Sequence, residues 1–179
     1  MIVELKTPRL KLRHWRVADA DDFAALHADP DVNADLGGPF SRAKADAKFT
    51  RYMKAQTEQG YSRWAVEDKA GVFLGYAGIM PVSGKHPLGP HNEIGWRLNK
   101  SAWGKGYASE AAKAALEDST KRLGLKQIFS YTASDNLRSQ AVMARIGMRR
   151  DSNRDFTTYY DDYGDWQGLV WSIGGLVGK

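Results

Sequence analysis

The residues with the clearest chemical meaning lie in one run, Glu93-Ile-Gly-Trp-Arg-Leu-Asn-Lys-Ser-Ala-Trp-Gly-Lys-Gly-Tyr-Ala-Ser-Glu110. Ile94, Trp96 and Leu98 alternate with Glu93, Gly95 and Arg97, which predicts a strand with one apolar and one polar face. A helix is predicted to start near Ala108. The amide N–H groups just before and within its first turn lack intrahelical acceptors, and its dipole favours negative charge in front of them. Gly104 and Gly106 allow a phosphate close to the backbone, and Lys105 adds charge beside it. The combination is an anion cradle suited to a pyrophosphate. A Walker loop requires Lys-Ser/Thr after its last glycine, whereas Gly106 is followed by Tyr107-Ala108. A dinucleotide fingerprint would put a third glycine where Ser109 stands and an acidic residue near Ile128-Phe129-Ser130. Two glycines alone would also serve as a plain turn before a packed helix.

Other elements must position this run. Leu10, Leu12 and His14 alternate with basic residues in a predicted strand, and Asp19 is a candidate N-cap for a short helix carrying Phe23 and Leu26. Ser41 is predicted to cap a helix running to about Gln59, with Ala45, Phe49, Tyr52, Met53 and Gln56 on one side and Gly60 ending it. Strands are expected at 61–67 and 72–80, with a loop from Pro81 to Pro90. Ala108, Ala111, Ala112, Ala115, Leu116 and Leu123 form a helical stripe closed by Gly124. A strand at 127–133, a helix at 136–146 and two last strands with a polar turn near Asp161–Asp165 complete the reading. No repeat, low-complexity tract or linker interrupts it.

A chain of 179 residues fits one domain, taken here as 1–179, without covalent staples. It has no cysteine, which removes disulfides, thiolate metal sites and a Cys-acyl intermediate. The start Met1-Ile-Val-Glu-Leu-Lys-Thr-Pro-Arg9 has no long apolar core, and the tail from Gly168 to Gly178 is too short and glycine-rich to span a bilayer. A cytoplasmic protein without membrane association is expected. The net charge of +5 favours anionic partners, but the basic residues are scattered and form no aromatic-basic ladder, so no stable nucleic-acid complex is expected.

The run Trp103-Gly-Lys-Gly-Tyr-Ala108 resembles motif A of the GNAT acetyltransferase superfamily, Gln/Arg-x-x-Gly-x-Gly/Ala, at Gly106 and Ala108. Trp103 departs from the usual first residue. Trp-Gly-x-Gly-Tyr-Ala-x-Glu-Ala resembles the branch that contains the RimJ and RimL ribosomal-protein N-acetyltransferases. Thr7-Pro-Arg-Leu-x-Leu-Arg13, Trp64-Ala-Val and Gly75-Tyr-Ala-Gly78 are similar to that branch's first strands. Asn136-x-x-Ser139 and Ile146-Gly-Met148 are similar to its motif B helix and exit. The resemblance implies an α+β fold of three-layer α/β/α type. Its sheet would be mixed and mostly antiparallel, six- to seven-stranded and flanked by about four helices. It implies acetyl-CoA as cosubstrate, with the diphosphate on the amides of about Gly104 to Ser109 and with Trp103, Lys105, Tyr107 and Ala108 around it. The pantetheine arm would pair with the backbone near Trp96 and Leu98 and meet Asn136. Ser139 would lie near the thioester sulfur. The acceptor would be a primary amine, either a protein N-terminus or a small molecule; a homodimer is left open.

Amine acetylation needs a base, an oxyanion donor and an acid. Glu93 is the candidate base, directly or through water; the alternative is a structural carboxylate paired with an arginine such as Arg97. His91, on the same face, is a weaker candidate. A backbone N–H near Trp96 is the expected oxyanion donor, with Gly95 marking a bulge that frees it. The superfamily's usual tyrosine acid falls at Met143, so Ser139 is the candidate, with Tyr131 and Tyr107 behind it. Ser139 and Asn136 also read as an ordinary helix start and its cap. Asp29, Asp31 and Asp35 would attract an ammonium group or lie in a solvated loop. The Tyr159–Tyr163 cluster reads as an exposed turn more readily than as a substrate mouth. The histidines show no ligand spacing, so no metal is expected. The rival class is a non-catalytic acyl-CoA-binding protein of the same fold.

Overall fold

The computed structural model describes residues 3–161 and 164–174. Strands β1 (Leu5–Lys6), β2 (Leu10–Arg13), β3 (Arg63–Asp68), β4 (Phe73–Val82), β5 (His91–Leu98), β6 (Gln127–Thr132), β7 (Arg149–Arg150), β8 (Phe156–Tyr160) and β9 (Gly164–Gly174) form the sheet. The α-helices are α1 (Ala20–Ala28), α2 (Arg42–Gln59), α3 (Tyr107–Lys121) and α4 (Leu137–Arg145). The strand order is β1-β2-β3-β4-β5-β6-β9-β7, with β8 on β9. Every pairing is antiparallel except β5 with β6. The expected mixed, mostly antiparallel α+β fold is present; the strand count exceeds six or seven because β1 and β7 are two-residue strands without a periodic signal of their own.

The sheet separates two helical layers. On one face α1 and α2 bury Phe23, Leu26, Phe49 and Tyr52 against Trp15, Ala65, Tyr76 and Met80. On the other, α3 lays Ala111 and Ala115 against Leu12, Val66 and Ala77. Ala112 and Leu116 meet Ile94, Ile128 and the α4 residues Val142 and Met143. Full burial of each large side chain contributes roughly 1.5–3 kcal/mol. The alanines let α3 lie close to the strands. As its alternation predicted, β5 turns Ile94, Trp96 and Leu98 toward α3.

Local signals explain the helix ends. Ser41 Oγ accepts from Lys44 N–H at 3.2 Å, and Gly60 closes α2 at φ 74°. Asp19 does not cap α1. Both its oxygens accept from the buried Arg13 guanidinium, at 2.7 and 2.8 Å, and Glu67 takes the remaining Arg13 Nε. A buried guanidinium left without carboxylates would cost more than an uncapped helix, so the ion pair takes the side chain. The loop expected from Pro81 starts two residues later, because Pro81 and Val82 still pair with Asn92 and His91. The last strands flank the turn as expected; its residues 162–163 lie outside the described residues.

Two partners treat β5 differently. β4 pairs with it from Gly75↔Leu98 to Val82↔His91 without a register shift, so the bulge expected at Gly95 is absent. β6 meets it only at Glu93↔Phe129. Beyond that bridge the two strands diverge, and the edge of β5 from Ile94 to Leu98 has no strand partner on that side.

Candidate active site

The opening between β5 and β6 leads into a cleft of ≈ 880 Å³, walled by the end of β5, the loop before α3 and the start of α4. Of the residues the sequence marked for cofactor binding, Trp96, Leu98, Trp103, Gly104, Gly106, Tyr107, Ala108, Ser109 and Asn136 line it. Lys105 is exposed and does not; its carbonyl accepts from Arg9 Nη1 at 2.8 Å. Gly104 and Gly106 sit at φ 73° and 77°, the left-handed region in which a side chain is strained. Glu110 N–H donates to the Gly106 carbonyl at 3.1 Å as α3 begins, so the amides of 107–109 precede the hydrogen-bonded ladder. The helix starts one residue earlier than expected.

The opening strand braces this loop. Glu110 accepts from Thr7 Oγ1 at 2.5 Å, from Arg9 N–H at 2.9 Å and from Arg9 Nε at 2.7 Å. Arg9 also lies 4.7 Å from the Tyr107 ring centroid. Trp103 donates its indole N–H to the Leu98 carbonyl at 2.9 Å and stacks under Arg138 at 3.9 Å, tying the loop to both β5 and α4. One acceptor on the β5 edge is therefore already engaged. Asn136 Oδ1 caps α4 by accepting from Ser139 N–H at 3.2 Å, while its Nδ2 is 3.5 Å from Asp35.

A second, smaller cavity of ≈ 140 Å³ adjoins the polar face of β5. It shares Asp35, Trp96, Arg97 and Ser139 with the large cleft. Glu93 lines it, but its ion-pair partner is Arg63, at 2.8 Å, and not Arg97. Arg97 pairs with Asp35 at 2.8 Å and donates to the Val32 carbonyl. Arg63 crosses Gly95: a Cβ there would stand 2.6 Å from Arg63 Nη2 and would displace the guanidinium. Tyr131 also lines the cavity. Burial first, and then the Glu93 carboxylate to which it hydrogen-bonds, push its hydroxyl well above the ordinary tyrosine range, so it stays a donor.

The remaining candidates are placed elsewhere. His91 lines neither cavity; its ring packs against Phe129, Tyr131 and His86. The aspartates are already engaged: Asp29 Oδ1 accepts from the amides of Asp31 and Val32, Asp31 pairs with Lys100, and Asp35 with Arg97. Met143 is 1 % exposed and reaches the small cavity as an apolar wall. Tyr160, read as part of an exposed turn, lines the small cavity with Trp166. Among the described residues no group of His, Cys, Asp or Glu has the geometry to hold a metal. No helix among them is long and apolar enough to cross a membrane.

Several lining residues escaped the sequence reading. Lys48, Arg63 and Tyr76 come from α2, β3 and β4, and only the folded sheet brings them to Glu93. The one available signal was Lys48, which stands in the stripe of Ala45, Phe49 and Tyr52 where an apolar residue is expected. Behind them, His27 is fully buried, with Nδ1 2.9 Å from Asn33 Oδ1 and Nε2 3.4 Å from the Tyr76 hydroxyl. Asn33 gives its Nδ2 hydrogens to the Leu26 and Asp29 carbonyls. Its Oδ1 therefore takes the Nδ1 proton, and burial disfavours a second proton on the ring.

A three-layer α/β fold with a strand splay, an amide cradle at one side of the gap and a polar cavity at the other defines an acyl-transferring enzyme. The chain belongs to the GNAT acetyltransferases: the family model described as an acetyltransferase (GNAT) domain matches residues 9–149. It is an acyltransferase whose cosubstrate is acetyl-CoA. It is 47% identical over 150 residues to the uncharacterized N-acetyltransferase YnaD of Bacillus subtilis, covering 83% of this chain and 84% of that one. It is 30% identical over 151 residues to the FsC-acetyl coenzyme A-N(2)-transacetylase of Aspergillus fumigatus, covering 80% of this chain and 64% of that protein. Among solved structures, the acetyltransferase from Agrobacterium tumefaciens superposes with a TM-score of 0.81 at 28% identity, over 98% of this chain and 96% of that one.

Proposed function

We propose that the whole chain is one catalytic domain that transfers the acetyl group of acetyl-CoA directly to a primary amine in a ternary complex, Glu93 serving as base and Ser139 as acid. The observation that carries this reading is the meeting of the two cavities at Trp96, Arg97 and Ser139, where β5 and β6 part. A thioester held in the large cleft and an amine held in the small one have their reacting atoms there, and proximity of that kind supplies much of the rate.

The cleft fits the cosubstrate by shape and charge. It presents free helix-start amides and two left-handed glycines for the diphosphate, with Arg138 and Arg145 on its α4 wall. The unpaired edge of β5 offers backbone groups to the pantetheine amides, and Asn136 faces the same space.

The amine proton passes to Glu93, directly or through one water, as nitrogen bonds to the thioester carbon. A β5 amide near Trp96 stabilises the oxyanion. The tetrahedral centre then collapses, the C–S bond breaks, and the thiolate takes the Ser139 proton, which solvent replaces. Arg63 and Tyr131 orient the Glu93 carboxylate for this work. The narrower likeness to RimJ and RimL rests on the opening strands, motif A and the motif B helix, and it suggests a protein N-terminus as acceptor; a small-molecule amine is the other acceptor class.

Free-thiol release from acetyl-CoA over a panel of amines and N-terminal peptides tests the reading. Amine-dependent release that falls about a hundredfold or more in Glu93→Gln is expected. Undiminished turnover in Glu93→Gln would remove that residue from the mechanism, and CoA binding without release from any amine would overturn the whole reading.

A further inference from the structure

The small cavity holds more positive charge than its own carboxylates neutralise. Lys48, Arg63 and Arg97 line it, against Asp35 and Glu93. The two carboxylates are spoken for, Glu93 by Arg63 and Asp35 by Arg97, each at 2.8 Å. Lys48 has no carboxylate partner among the described residues. Its ammonium lies instead among rings, 5.2 Å from the Phe40 centroid, 5.8 Å from Tyr76 and 6.0 Å from Tyr52. Those faces tolerate a cation but do not neutralise it.

A second observation is independent of that charge. Arg63 Nε, Arg97 Nε and Trp166 Nε1 are buried donors without an acceptor, and all three belong to residues that line this cavity. A buried donor left unsatisfied costs about 1–3 kcal/mol, a cost that a bound oxygen offsets once a small shift brings the two together. The excess cation and the idle N–H groups ask for the same thing, a ligand bearing anionic oxygens.

We infer that the acceptor is a small primary amine that also carries a carboxylate, a free amino acid or a close aminocarboxylate, with the carboxylate read by Lys48. This deepens the proposed function and rests on its reading of the small cavity as the acceptor site. A zwitterion matches both sides of the pocket: its ammonium meets Glu93, which relays one proton to solvent before attack and takes the second as the N–C bond forms, and its carboxylate meets the uncompensated lysine. At ≈ 140 Å³ the space suits a compact molecule, since engineered cavities of about this size take a benzene ring. Burial foremost, with Arg97, Arg63 and Arg51 adding to it, lowers the ammonium of Lys48 to about 8, and an entering carboxylate would restore its charge.

Thiol release measured with free L-amino acids and their matched carboxamides tests this, in the wild type and in Lys48→Gln, Lys48→Met and Lys48→Arg. For the best side chain, the acid should exceed its amide about tenfold or more in kcat/KM, a charge-assisted contact's worth of discrimination. That ratio should fall toward 1 in Lys48→Gln and Lys48→Met, mainly through KM, and return in part with Lys48→Arg. Melting curves of each variant with and without CoA identify any that misfold, and the wild-type ratio stands as a test without them. Turnover of amides equal to or above that of acids, or an undiminished preference in both neutral variants, overturns the inference and leaves the acetyltransferase reading standing. No release from any member of either series overturns both.

Discussion

Gly95 and Arg63 are the pair on which the polar face of β5 depends. The guanidinium reaches Glu93 and the Tyr52 hydroxyl, at 2.8 and 2.6 Å, only by crossing the space a Cβ at position 95 would fill. Gly95→Ala should therefore displace Arg63, cost about 1–3 kcal/mol in denaturant melts and lower kcat/KM for the amine. CoA affinity by calorimetry should be unchanged, because the cradle lies elsewhere on the strand's apolar side. A tenfold loss of CoA affinity in this variant would show that the two cavities are not separable in this way. The Glu93 candidate came directly from the sequence, since a carboxylate on the polar face of a strand follows from period-two alternation. Its partner did not. Arg97 is four residues away on the same strand face and looks like the natural mate, but Asp35 from a distant loop claims it.

At the scale of elements, the candidate site is made by one strand that loses its neighbour and one helix whose first amides precede its hydrogen-bonded ladder. The loop between them was the most legible part of the chain, because its glycines, strand and helix are adjacent in sequence. Gly106 stands at φ 77° as the N-cap of α3, and Arg9 Nη2 would be 3.5 Å from an added Cβ, an ordinary contact. Space therefore does not demand glycine there; the backbone angle does. Gly106→Ala should lose about 1 kcal/mol of stability and bind CoA roughly tenfold more weakly, as an alanine leaves the left-handed region and turns the amides away. Calorimetry of CoA binding reads this, and unchanged affinity would remove the loop's geometry from the argument. The splay itself had no local signature. Divergence of β5 from β6 is a property of how two strands from different parts of the chain twist past each other.

Across the whole molecule, the buried polar chain of Asn33, His27 and Tyr76 ties the α1–α2 layer to the floor of the small cavity. Burial first, then the charge of Lys48, lowers His27 from 6.5 to about 3, so the folded protein keeps the imidazole neutral. Below about pH 6.5 the unfolded chain binds a proton that the folded chain refuses. His27 thus contributes stability above that pH, and the contribution declines as pH falls toward 3, by up to ~1.4 kcal/mol per pH unit. Denaturant midpoints between pH 7 and pH 5 should fall less steeply in His27→Gln than in the wild type. Equal slopes would mean that the imidazole is protonated in the fold or does not limit acid stability.

By itself the sequence determined the element order and the glycine-bearing loop between β5 and α3, while its resemblance to the GNAT superfamily implied the mixed, largely antiparallel sheet and the acyl-CoA chemistry. The elements and the loop follow from periodicity, caps and glycines that act over a few residues, where local sterics and hydrogen bonding decide. Only the tertiary structure decided what lines the small cavity. Lys48, Arg63, Arg97, Tyr160 and Trp166 come from a helix and several strands and acquire a shared purpose only when layers pack. Their charges and burial are set by neighbours far away along the chain, and no window of adjacent residues encodes that distance.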